Sequence, residues 1–444
     1  MSNSADNASK GNLSIKAGGK ILYSAKETYR VDGGTVKNSS TSAFQQKSGE
    51  GQTVRNEDRV ERQILKKPST QKAEVEKIQL TTKLEQGYDD SGTLVEGMQY
   101  EVTYEFEVIK FKNDNIPSDD SLIKWSYRFE GEDGAIEPAG AGKICDTRGR
   151  KLRLRLTNNP DICGRELVIY AFIESKDTGA TFKKWVHYRF RWLSRKQIKQ
   201  EVADRVGKAE LIDQGGTSLC GIAVVGYNFA KGQGAAYEKF VLDMHRRGDA
   251  TIAATNYKVT IDSDEHLLKY KQTDKEYPEE SATKKKMATA DFVFLVTIRD
   301  YLNDVFDYDP DGPNAGGFVE GSTGITFPGT VASVMKNVAN YQDVINDTNL
   351  LTSKWETASD MVTKLKEKLT EGYRLAIEIN ADNFTKNKKP FWTNPNHWVG
   401  LLDICHDDTA GTVWVQIYTW GSIREYTVND DVFTDGFFGY VAGK

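Results

Sequence analysis

The 444 residues exceed what one hydrophobic core usually holds, so two or three domains are expected. Apolar residues at 38% and charged residues at 28% suit a folded chain rather than a disordered one. A net charge of −5 argues against a nucleic-acid or anionic-membrane partner, and no apolar run approaches the roughly 20 residues of a membrane span.

The start, "MSNSADNASKGN", lacks the basic-then-apolar layout of a secretory signal. Synthesis in the cytoplasm is expected, with retention there or delivery by a dedicated apparatus. Residues 1–85 are rich in Ser, Asn, Lys, Gly and Glu and sparse in large apolar side chains. Such a segment buries too little surface to offset its ordering entropy and reads as a flexible region, a candidate delivery segment.

From about residue 90 the pattern alternates: "QYEVTYEFEVIKF", "SLIKWSYRFEG", "KLRLRLTN", "ELVIYAFIES", "KKWVHYRFRWL". Runs of this kind, bounded by Gly, Asp and Asn, predict antiparallel strands with one buried face. An immunoglobulin-like β-sandwich over 86–193 is expected, with Trp125 in its core. Residues 194–210 read as a helical linker. The remainder, 211–444, has helices first and strands last, an α+β order.

The cysteines, Cys145, Cys163, Cys220 and Cys405, lack CxxC pairs, so no zinc site is expected, although Cys145 and Cys163 are a possible disulfide. "DYDPDGPNAGGFVEG" begins like a calcium loop with Asp307, Asp309 and Asp311. Its twelfth position is Phe318, so a flexible loop is the better reading and neither metal nor cofactor is expected.

"DQGGTSLCGIAVVGYNFA" places Cys220 at the start of an apolar helical run, after glycines that allow a tight approach. A thiol there faces unpaired backbone N–H groups, which favour the thiolate. The Gln214 side-chain amide and the Cys220 backbone N–H are candidate oxyanion donors. His187, His245, His266 and His406 read as surface or structural residues. His397 opens the apolar strand "HWVGLLDI" and is the candidate base.

These segments resemble the papain-like cysteine peptidases and amidases. "DQGGTSLCG" is similar to their nucleophile signature, "NHWVGLLD" to their histidine strand and "IYTWGS" to their Asn-Ser-Trp-Gly segment. The resemblance implies Cys220 as nucleophile, His397 as base and Gln214 in the oxyanion hole. Tyr418 falls at the orienting Asn position, with Gln416 and Thr419 as alternatives. A Cys–His amidase of the NlpC/P60 or CHAP kind implies the same chemistry.

The layout resembles bacterial toxin effectors of contractile (type VI-like) injection systems. That resemblance implies a secreted hydrolase acting on protein or peptidoglycan peptides, a delivery-apparatus partner and a cognate immunity protein. A catalytically inactive binding protein, or a transferase or deamidase using the same dyad, is the alternative.

Overall fold

The computed structural model describes residues 72–137, 147–262, 265–280, 285–302, 326–348, 357–388 and 395–444. All belong to one compact unit, Ser69–Lys444. The acidic loop with Asp307, the cysteine Cys145 and residues 1–71 lie outside them. Cys163 is a free, buried thiol.

The first part is all-β. Its strands are β1 (Val75–Leu80), β2 (Glu85–Tyr88), β3 (Leu94–Gly97), β4 (Thr103–Phe111), β5 (Lys124–Gly131), β6 (Gly134–Ile136), β7 (Lys151–Arg155), β8 (Arg165–Phe172) and β9 (Ala180–Val186). Sheets β1-β4-β7 and β6-β5-β8-β9 share one apolar core, in which Phe106, Leu152, Trp125 and Leu167 meet. This sandwich starts at Val75, ahead of the expected residue 86. Two register shifts in β1 bury Val75 and Ile78, three residues apart, so the strand carries no period-2 signature.

The second part begins with α1 (Arg195–Gly207), capped by Ser194. It is not a free-standing linker. Ile198 and Val202 are fully buried in the larger core, and Arg205 makes a buried ion pair with Asp291 at 2.5 Å. There follow α2 (Cys220–Gly232), α3 (Gly234–Arg247), β10 (Asp249–Ile252), β11 (Tyr257–Thr260) and α4 (Thr289–Asp291). A π-turn (Phe292–Val296) runs from α4 into α5 (Thr297–Tyr301), and α6 (Pro328–Asn337) comes next.

The last elements are β12 (Val344–Thr348), α7 (Ala358–Thr370), β13 (Arg374–Ile379), α8 (Ala381–Lys386), β14 (His397–Asp407), β15 (Thr412–Thr419), β16 (Ser422–Asn429), α9 (Asp430–Gly436) and β17 (Phe437–Gly443). They build a six-stranded antiparallel sheet, ordered β12-β17-β13-β14-β15-β16.

Helix α2 packs on one face of this sheet, against Ala376, Trp398 and Tyr418. Helix α7 packs on the other, against Ile377, Val399 and Leu401. Burial on both faces explains the nearly continuous apolar run of β13, "RLAIEI". Every residue from Cys220 to Ala230 is buried, so α2 is a central helix, predominantly apolar and covered on all sides, with Asn228 as its buried polar residue. Gly221 permits close approach to the chain entering α6, because a Cβ there would lie 2.7 Å from the Thr326 Cβ. No helix among the described residues is long and apolar enough to cross a membrane.

Candidate functional site

Cys220 is the first residue of α2, and no side chain caps that end. Its thiol faces the backbone N–H of Trp398, the second residue of β14. Burial nevertheless dominates, pushing the thiol up to about 11 against the pull of the Trp398 and Gly221 N–H groups. The resting group is therefore a thiol, contrary to the thiolate expected from the helix start alone.

His397 opens β14 and is buried. Its Nε2 lies 2.7 Å from Thr419 Oγ1. Its ring lies flat against that of Trp420, with centroids 4.1 Å apart and planes 10° apart. Burial holds the imidazole down at about 3, so it is neutral near pH 7. In the tautomer whose Nε2–H donates to Thr419, Nδ1 carries the lone pair.

Thr419 and Ser422 close a two-residue hairpin on Trp420 and Gly421, whose φ values are 42° and 67°. Paired positive φ angles match the twist of a tight hairpin, but for tryptophan this conformation is strained. The strained turn is what lays the indole over His397.

Tyr418 does not orient His397. Adjacent strand residues point to opposite faces, and Tyr418 turns toward α2. There it stacks on Tyr227 with centroids 4.2 Å apart, and its hydroxyl donates to the Ile212 carbonyl at 2.5 Å. Gln416 is also elsewhere, donating to Glu425 across β16 at 3.0 Å. Thr419, one of the two alternatives, bonds the imidazole.

Gln214 is buried in the loop before α2, where its Nε2 donates to the Thr217 carbonyl at 2.9 Å. One amide hydrogen thus braces the loop. No hydrogen bond joins Cys220 to His397, so β14 meets the α2 start through Trp398 rather than through the imidazole.

Sequence reasoning missed a supporting chain of charges. Arg205 grips Asp291 through both carboxylate oxygens, at 2.5 and 2.6 Å. Asp291 accepts the Asp213 N–H at 3.1 Å, and Asp213 accepts the Gly215 N–H at 2.8 Å. A Cβ on Gly421 would lie 2.9 Å from Asp213 Oδ2, so the Trp-Gly hairpin rests on the nucleophile loop. The signal was present as Asp213 beside Gln214 in "IDQGG" and Asp291 heading an apolar run.

Glu378 was missed as well. It is fully buried on β13, directly opposite Trp398, and neither carboxylate oxygen has a hydrogen-bond partner. A single acid inside an apolar strand was its signature.

The other histidines are structural. His245 is completely buried rather than at the surface, with Nε2 2.9 Å from the Leu193 carbonyl. His187 is buried just after β9, with Nε2 2.9 Å from the Glu85 carbonyl. His266 lies 3.7 Å from Asp300, and His406 lies between Asp430 and Asp408 at 3.0 and 2.9 Å. Among the described residues, no group of three or more His, Cys, Asp or Glu side chains could hold a metal ion.

No family model, curated protein or solved structure matches the chain.

Proposed function

We propose that the region around α2 and β14 is a thiol-dependent amide hydrolase, with Cys220 as nucleophile and His397 as base. The observation that carries this is the imidazole's mounting. Nε2 is bonded by Thr419 under the Trp420 ring, and the Cys220 thiol faces the N–H of the very next residue, Trp398.

In this reading Nδ1 takes the thiol proton as sulfur attacks an amide carbon, which requires the imidazole to close on Cys220 past Trp398, since no hydrogen bond joins the two at rest. The imidazolium returns that proton to the departing nitrogen as the thioester forms, and water, giving a proton to the imidazole, then releases the acid and the sulfur, which is reprotonated. The N–H groups of the first α2 turn and the second Gln214 amide hydrogen are the nearest donors for the developing oxyanion. Thr419 replaces the expected Tyr418 in holding the ring.

The test is incubation of wild type and Cys220→Ala with purified peptidoglycan and, separately, with cell lysate. A Cys220-dependent product supports the reading. Identical product profiles for the two proteins overturn it.

A non-catalytic binding protein is the second reading. The missing Cys220–His397 hydrogen bond and the neutral resting groups favour it. It requires that Cys220 reactivity be indifferent to His397. Delivery into target bacteria with a cognate immunity protein remains part of the proposal, on the layout of the chain. Growth inhibition upon expression in either bacterial compartment, lost in Cys220→Ala, tests it.

A further inference from the structure

Glu378 has no role in the scheme above, yet its position is unusual. On β13 it stands opposite Trp398 of β14, and Trp398 supplies the N–H facing the Cys220 thiol. On its other side it stands opposite Gly439 of β17, which brings no side chain. A register shift falls between Glu378 and Ile379 at that pairing, and such bulges re-aim side chains next to working sites. Both carboxylate oxygens are buried without a partner. An unpaired buried polar group is costly to keep, which calls for an explanation in function.

We infer that Glu378 is a positioning residue for Cys220: as a neutral carboxylic acid it donates a hydrogen bond toward the sulfur as negative charge forms there, and once ionised it opposes that charge. This rests on the thiol-hydrolase reading above. No bond to Glu378 changes in the step. The Cys220 S–H bond breaks, its proton passes to His397, the electron pair stays on sulfur, and the Glu378 proton stays on its oxygen.

The register opposite Trp398 and the unpartnered carboxylate carry the assignment, and the electrostatics agree with it. Burial alone pushes the Glu378 carboxyl up to about 8, with no neighbouring charge contributing. The ionised carboxylate in turn raises the Cys220 thiol, so its charge reaches the sulfur. Cys220 on α2 is a titratable group that the Glu378 charge reaches, whereas its cross-strand neighbours Trp398 and Gly439 do not titrate.

The experiment measures the iodoacetamide alkylation rate of Cys220 against pH, with mass localisation, in wild type, Glu378→Gln, Glu378→Leu and His397→Ala. The wild-type rate should rise with pH and flatten above about 8. Glu378→Gln keeps a donor that cannot ionise, so its rate should stay within about threefold of wild type below pH 8 and keep rising beyond it. Glu378→Leu should be slower by about tenfold or more below pH 8 and show no flattening.

A Glu378→Gln profile that flattens like wild type overturns the inference, as does a Glu378→Leu rate equal to wild type. A cationic and a neutral methanethiosulfonate are compared in parallel. If Glu378→Gln slows only the cationic reagent, the carboxylate binds a ligand's positive charge and the positioning role falls. A Cys220 rate unchanged in His397→Ala overturns the hydrolase reading itself, and the inference with it.

Discussion

Nε2 of His397 sits 2.7 Å from Thr419 Oγ1, a bond that fixes the imidazole from behind and leaves its other nitrogen for chemistry. Thr419→Val should therefore lower kcat/KM by about tenfold to a hundredfold, the worth of one hydrogen bond to a group that becomes charged. Thr419→Ser should retain most activity. Tyr418→Phe loses only the bond to Ile212, so it should cost about 1 kcal/mol of stability and leave the shape of the pH–rate profile unchanged. Steady-state kinetics and denaturant melts on the three variants check this.

Trp420 separates stability from activity. Glycine at this position relieves about 1–3 kcal/mol of backbone strain, forfeits about 0.5–1.5 kcal/mol of stacking on His397, and gives up about 1–2 kcal/mol of burial of the half-buried indole. Strain relief and lost packing roughly cancel, so Trp420→Gly should change Tm little while catalysis falls. A variant with a lower Tm and full activity would contradict the role given to the indole.

The Arg205–Asp291 pair ties α1 to the nucleophile loop. Asp291→Ala leaves a buried guanidinium unpaired and should cost about 3–5 kcal/mol in denaturant unfolding. The double variant Arg205→Met/Asp291→Leu should recover much of that loss. It should not recover activity, because the Asp213 N–H still lacks its acceptor.

How much of this was legible in the sequence varied with the physics of each feature. The start of α2 at Cys220 was legible, because glycines, small residues and an apolar run all point to one buried helix. The residue holding His397 was not. Tyr418 and Thr419 differ by one position, and that single step decides which face of the sheet each side chain meets. Strand β1 was hidden by its bulges, which break the alternation a reader looks for. The role of α1 was hidden too. Its charged residues read as a helical linker, whereas Arg205 is buried against an acid 86 residues away.

Three buried groups give stability a pH optimum. Burial lowers His397 and His245 from 6.5 to about 3, so between those values the unfolded chain binds more protons. Their contribution is whole above 6.5 and is lost as pH falls toward 3. Burial raises Glu378 from 4.5 to about 8, so its contribution is whole below 4.5 and is lost as pH rises through 8. From these three groups, stability should peak near pH 6.5 and then decline toward 8. The decline should approach about 1.4 kcal/mol per pH unit. Glu378→Gln should make the decline shallower, leaving the part due to His406, which Asp430 and Asp408 hold above its usual value; a decline as steep as that of wild type would contradict the assignment.

The central claim is that His397 serves the Cys220 thiol, and one measurement addresses it without knowledge of the substrate. Wild type and His397→Ala are treated with iodoacetamide near neutral pH, and the rates at Cys220 and at the exposed Cys405 are followed by mass. The account predicts a Cys220 rate at least about tenfold lower in His397→Ala, with the Cys405 rate unchanged. Equal Cys220 rates in the two proteins would contradict it.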